Sequence, residues 1–144
     1  MIIRNMNPQD LRQVAIIEKE NFSCPWSETA FASTLEKENI IYLVAVELEE
    51  IIGYCGEWYV LDEGEITNVA VSRSSRRKGI AVQLLQELFV QAQKKGVTLH
   101  TLEVRKSNQS AINLYEKLGF QAEGIRKNFY EKPTEDAIIM WKRK

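Results

Sequence analysis

Residues 65–96 read EITNVAVSRSSRRKGIAVQLLQELFVQAQKKG, and the fold turns on how this stretch divides. From Glu65 to Val71 the side chains are short and mostly β-branched or apolar, which predicts a strand buried on both faces. From Ile80 the period changes. Ile80, Ala81, Leu84, Leu85, Leu88, Phe89 and Ala92 recur at helical spacing, and Lys94, Lys95 and Gly96 supply a cationic last turn and a left-handed cap. Between strand and helix lie Arg73, Ser74, Ser75, Arg76, Arg77, Lys78 and Gly79. Cations and a glycine therefore sit where the first, unpaired N–H groups of the helix emerge, a place that attracts phosphate. On charge alone the loop is equally well a solvated basic turn. Neither G-x-x-x-x-G-K-S/T nor G-x-G-x-x-G occurs, which excludes a P-loop and a dinucleotide fingerprint.

Upstream, Ile2 and Ile3 suggest a short strand, and Asn7-Pro8-Gln9-Asp10 opens a helix that carries Leu11, Val14, Ala15 and Ile17 on one face and ends near Asn21. Phe22-Ser23-Cys24-Pro25-Trp26 interrupts regular structure. Ser27 and Glu28 then start a second helix, with Phe31 and Leu35 on one face. Residues 40–46 and 51–60 read as antiparallel strands joined by Glu47-Leu48-Glu49-Glu50. Downstream come a strand from Thr98 to Val104 and a helix from Asn108 to Leu118, capped by Ser107 or Asn108 and stopped by Gly119. Phe120–Tyr130 and Asp136–Trp141 close the chain as paired strands. The order β-α-α-β-β-β-α-β-α-β-β predicts an α/β (α+β) protein with a mixed sheet and helices on its faces.

A length of 144 residues suits one domain, 1–144, with a core of its own. The net charge of -1 speaks against a general nucleic-acid or membrane-surface binder, since such partners call for a cationic excess. The start, MIIRNMNPQD, has no apolar signal core and no run approaches a membrane span, so a cytoplasmic protein is expected. Cys24 and Cys55 suit free thiols. With no C-x-x-C and His100 as the only imidazole, no metal is expected. His100 lies mid-strand and reads as a packed residue.

Two residues stand out for chemistry. Glu103 lies between Leu102 and Val104 on a strand expected to be interior, where a carboxyl is driven toward its neutral form. It is either a general base or half of an ion pair, for instance with Arg105 on the same strand face. Tyr115, mid-helix between Leu114 and Glu116, either packs or acts as a proton donor.

Arg76-x-x-Gly79-x-Ala81, after a strand and opening a helix, resembles the acyl-CoA signature R/Q-x-x-G-x-G/A of the GNAT acetyltransferases. The run from Val104 to Phe120 resembles the second GNAT signature, V-R-x-x-N-x-x-A-x-x-L-Y-x-x-x-G-F, along its full length. Within that superfamily, Pro25-Trp26-Ser27 with Phe31, Glu65–Val71 and Asp136–Met140 look like the bacterial ribosomal-protein alanine N-acetyltransferases. The resemblance implies acetyl-CoA as co-substrate, no metal, and a protein N-terminus as acceptor, with a lysine, polyamine or small-molecule acetyltransferase as the alternative and a noncatalytic acyl-CoA-binding domain as the rival from another class. It implies that Val69, Ala70 and Val71, on a bulged strand splayed from its neighbour, offer backbone groups to the pantetheine arm. Arg76, Arg77, Lys78, Gly79, Ile80, Ala81 and Val82 would hold the pyrophosphate, and Asn108 would touch the cofactor. Glu103 would be general base and Tyr115 general acid, while Trp26, Phe31, Asn128 and Tyr130 would lie on the acceptor side. Phe129 departs from the pattern, which has a tyrosine pair after Asn128; Tyr130 keeps the second.

Overall fold

The computed structural model describes residues 1–143. Its elements are β1 (Ile2–Asn5), α1 (Leu11–Asn21), α2 (Glu28–Leu35), β2 (Ile40–Glu47), β3 (Glu50–Val60), β4 (Glu63–Val71), α3 (Ile80–Lys94), β5 (Leu99–Arg105), α4 (Gln109–Lys117), β6 (Gln121–Tyr130) and β7 (Glu135–Arg143). Short 3₁₀ turns at Pro8–Asp10 and Arg73–Ser75 lead into α1 and α3. The strands form one seven-stranded sheet in the order β1-β2-β3-β4-β5-β7-β6. Only β4 and β5 run parallel, because the α3 crossover links them; the other neighbours are antiparallel.

Local chemistry explains the boundaries. The Asn7 side chain accepts from Gln9 N–H, and the Asp10 carboxylate accepts from Asn7 N–H at 2.8 Å, a reciprocal cap that starts the first helical turn. Ser27 caps α2 by accepting from Ala30 N–H, and Asn108 caps α4 by accepting from Ala111 N–H. Leu48 and Glu49, both at positive φ, make the two-residue turn whose twist matches the β2–β3 ribbon.

The sheet is buried from both sides. On one face α3 lays Leu84, Leu85 and Leu88, all fully buried, against Leu43, Cys55 and Ile66. Each such leucine contributes roughly 1.5–3 kcal/mol relative to an exposed one. On the other face α1 and α2 place Val14, Ile17 and Phe31 over Val44, Tyr54 and Ala70.

Strand β4 departs from the expectation of burial on both faces. Ile66, Asn68 and Ala70 are buried, whereas Thr67, Val69 and Val71 are only partly so. Gly56 pairs with Asn68 and Glu57 with Ile66, so Thr67 is an extra residue, a β-bulge that shifts the alternation. After the bulge Val69 and Val71 join the α3 face while Ala70 joins the α1 face. The second reason is the neighbour. β4 pairs with β5 only over Glu63–Glu65 against Leu99–Thr101, and beyond that point no described strand pairs with its far edge.

Candidate active site

Past Glu65 the parting of β4 and β5 opens a cleft of about 1030 Å³. Its walls are Ile66–Val69 of β4, Leu102–Arg105 of β5, Asn108 and Tyr115 at α4, and two loops, 22–26 and 131–135.

One side of the cleft is main chain. Ser72 N–H bonds Ile52 O at 2.9 Å, and an antiparallel ladder alternates, so Ala70 turns its backbone groups to β3 while Val69 and Val71 turn theirs to the gap. The expected backbone contribution from Ala70 therefore falls away. Val71 O already accepts from Asn21 Nδ2 at 3.3 Å, which leaves Val69 as the freer group. At the start of α3, Gly79 has φ +74 and no side chain caps the helix. A Cβ at Gly79 would meet nothing within 4 Å, and the first-turn N–H groups of Ile80, Ala81 and Val82, which have no partner within the helix, receive no side-chain cap. That opening fits a pyrophosphate, with Arg77 and Lys78 exposed beside it. Two expectations are narrowed. The Ile80 side chain is buried in the core, so only its N–H can serve, and Arg76 is turned away to the Asn21 side-chain oxygen at 2.5 Å. Asn108 lines the cleft, but its Oδ1 is taken by Ala111 N–H and the Ser110 hydroxyl, so it has its amide N–H groups to offer.

Glu103 and Tyr115 reach the same cleft from β5 and α4. Burial drives the Glu103 carboxyl above the ordinary glutamate range, against the pull of Arg126 and with a smaller push from Glu65. Its ion-pair partner is Arg126 Nη1 at 2.8 Å and not Arg105. Ala137 pairs with Arg105 on one side and Arg126 on the other, so the two guanidinium groups flank one small residue and each takes its own carboxylate. Burial pushes the Tyr115 phenol well above its usual value, and it stays a proton donor at neutral pH.

The acceptor side is built of side chains. Trp26, Phe129 and Tyr130 line the cleft. Phe31 does not: it is fully buried, its ring 5.2 Å from Trp26 and 5.8 Å from Tyr54, so it supports Trp26 from behind. Asn128 is exposed at a positive-φ irregularity within β6, its N–H bonded to Asp136, and lies outside the cleft wall.

Glu18 escaped the sequence reading. It is buried on α1 at the cleft wall, where Oε2 accepts from Trp26 N–H at 3.0 Å and Oε1 accepts from the Tyr54 hydroxyl and from Asn68 Nδ2. Its signal was legible: Leu11, Val14 and Glu18 share a helix face, and a carboxylate in an apolar stripe needs partners. Glu57 also escaped. It is fully buried and meets His100 Nδ1 at 2.5 Å, which bears out His100 as a packed residue. Among the described residues no group of His, Cys, Asp and Glu converges as a metal site, and no helix is long and apolar enough to cross a membrane.

The splayed parallel pair, the bulge before the open helix start and the second signature define the class of protein. Residues 11–120 match the Acetyltransferase (GNAT) family, and the chain belongs to that family as an acetyl-CoA-dependent acetyltransferase. Its relatives are more specific. The ribosomal protein bS18-alanine N-acetyltransferase of Escherichia coli (strain K12) is 38% identical over 96% of this chain and 94% of its own length. The enzyme of that name from Haemophilus influenzae is 37% identical over 96% of both chains. The crystal structure of the ribosomal-protein-S18-alanine N-acetyltransferase from Escherichia coli superposes with a TM-score of 0.90 at 37% identity, covering 97% of this chain and 91% of that one.

Proposed function

We propose that this chain, as a single domain, acetylates the N-terminal α-amine of a protein in the cytoplasm, the alanine of ribosomal protein bS18 or its counterpart. The observation that carries the reading is the convergence of Glu103 and Tyr115, from separate elements, on one cleft whose other wall is open main chain. The names of relatives at 37–38% identity support the choice of substrate.

Acetyl-CoA supplies an activated acyl group and a thiol leaving group. The chain's residues supply the rest. Glu103 takes a proton from the incoming ammonium, so that a neutral amine attacks. The Val69 N–H, fixed toward the gap, stabilises charge on the acetyl oxygen without reorganising. Tyr115 gives its phenolic proton to the departing sulfur, and the second proton of the attacking nitrogen, lost as the adduct collapses to the amide, restores the phenol; a phenol is a weaker acid than a thiol in water, roughly pKa 10 against 8.5, so the transfer rests on placement at short range.

The acceptor choice has a thermodynamic basis. An α-amine titrates near 7.7–8.0 and lysine near 10.4, so at pH 7 roughly a tenth of the first is neutral against about one part in 2,500 of the second. The gap is about 3.5 kcal/mol. A peptide that begins with free alanine is expected to be acetylated at least about 10²-fold faster in kcat/KM than an N-terminally blocked peptide carrying lysine. A thiol-release assay with mass location of the acetyl group checks this, and equal rates would transfer the assignment to lysine.

A further inference from the structure

Arg105 is the point where the two acceptor-side loops meet. It projects from the last position of β5, three-quarters buried. Nη1 donates to Pro133 O at 2.9 Å and to Glu135 Oε1 at 3.1 Å, and Nη2 donates to Glu131 O at 2.8 Å and to Ser23 Oγ at 3.2 Å. The Ser23 hydroxyl in turn donates to Glu131 O at 3.2 Å, closing a ring between loops 108 residues apart in the chain. The guanidinium lies 4.6 Å from the centroid of the Tyr130 ring, and Glu135 Oε2 accepts from Ser107 N–H at 2.6 Å, tying the same cluster to the start of α4.

We propose that Arg105 is a positioning residue for the peptide substrate: one guanidinium holds the loops 22–26 and 131–135 at a set separation and so shapes the acceptor half of the cleft. The inference rests on the acetyltransferase reading of that cleft. Only arginine fits the position. A planar fork with five donors satisfies backbone carbonyls, a hydroxyl and a carboxylate together while its face stacks on an aromatic ring; a lysine ammonium has three donors and no plane. Two of the acceptors are main-chain oxygens of the β6–β7 loop and so do not depend on which side chains that loop carries. Among the described residues the Arg105 guanidinium makes no hydrogen bond to β4 or to the start of α3; the donor side touches Arg105 through its backbone, where Asn108 N–H donates to Arg105 O at 2.9 Å. Loop 22–26 carries Trp26, and loop 131–135 leaves directly from Tyr130 at the end of β6, so loosening the clasp moves the surfaces that the acceptor's first residues meet.

The test uses the full chain as wild type, Arg105→Gln and Arg105→Lys, with acetyl-CoA and a peptide that begins with alanine. Arg105→Gln is expected to raise KM for the peptide by an order of magnitude or more, with kcat within about threefold and acetyl-CoA affinity by calorimetry within about twofold. Arg105→Lys should fall between, because it keeps the charge and loses the fork. Hydrogen exchange gives a second reading that needs no turnover: amides of both 22–26 and 131–135 should exchange faster together in Arg105→Gln, with the rest of the sheet unchanged. An equal loss of acetyl-CoA and peptide affinity, an unchanged peptide KM, or acceleration in one loop alone would overturn the proposal. A wild-type chain that binds acetyl-CoA and leaves the alanine peptide unmodified would instead defeat the substrate reading, while the exchange experiment would still decide the clasp.

Discussion

The two halves of the cleft are made differently. The donor half is main chain: the open edge of β4 at Val69 and Val71, and the uncapped start of α3 at Gly79. The acceptor half is side chain on side chain, with Trp26 held by Glu18 and Phe31, and Tyr130 held by Arg105. The first comes from one continuous run of sequence, whereas the second is assembled from separate segments, with partners as far as 108 positions apart. The difference teaches where variation is tolerated. Main-chain donors keep their positions as long as the bulge and the splay persist, so acyl-donor binding survives changes of side chain. The acceptor half depends on individual side chains and is where a change of substrate would arise.

The largest expected effect lies where the halves meet. Tyr115→Phe keeps the packing against Phe120, whose ring centroid is 5.8 Å away, and removes only the proton donor. It should lower kcat on the order of 10² or more with acetyl-CoA affinity little changed, as measured by steady-state kinetics beside calorimetry. A variant within about twofold of wild type would return Tyr115 to a packing role.

The donor half can be broken through Gly79, with a built-in control. Gly79 and Gly96 stand at opposite ends of α3, both at positive φ and both with open space where a Cβ would go. Valine at either position suffers the same backbone strain, about 1–2 kcal/mol. Only Gly79→Val places a branched side chain in front of the helix N–H groups. It should weaken acetyl-CoA binding by about an order of magnitude, and Gly96→Val should leave it unchanged at a similar loss of melting temperature. Matched losses of affinity would show the loop to be merely a basic turn.

The smallest effect sharpens the acceptor half. Glu103 works as a base when deprotonated, and its carboxyl is raised by burial, so the acid limb of kcat/KM should lie above the ordinary glutamate value of about 4.3. Arg126 favours the charged form of Glu103, so Arg126→Ala should move that limb to still higher pH. Arg126 is more than half exposed, so the plateau above the limb should stay within about fivefold of wild type. A pH–rate profile measured from below 5 to 8 reads both; a limb that moves to lower pH would contradict the sign.

Sequence alone determined the element order, the cap at Ser27, the end of α1 near Asn21 and the helix-opening glycine, because each follows from chemistry within a few residues of chain; at α4 it narrowed the cap to Ser107 or Asn108, and the structure decided for Asn108. It also singled out Glu103 as a carboxyl on a strand, since burial of that strand follows from its apolar neighbours. Only the tertiary structure decided what Glu103 pairs with. Two residues on one strand face sit roughly 7 Å apart, whereas a long side chain two strands away reaches across a small Ala137, and the order β5-β7-β6 is not written in any local pattern. The same holds for Phe31 and Asn128, whose residue types suit a binding surface while packing puts one wholly inside and the other off the cleft wall. The clasp at Arg105 belongs wholly to this second kind of information: two of its four acceptors are backbone oxygens, which carry no signature in a sequence, and all four are brought together by segments that meet only in the folded chain.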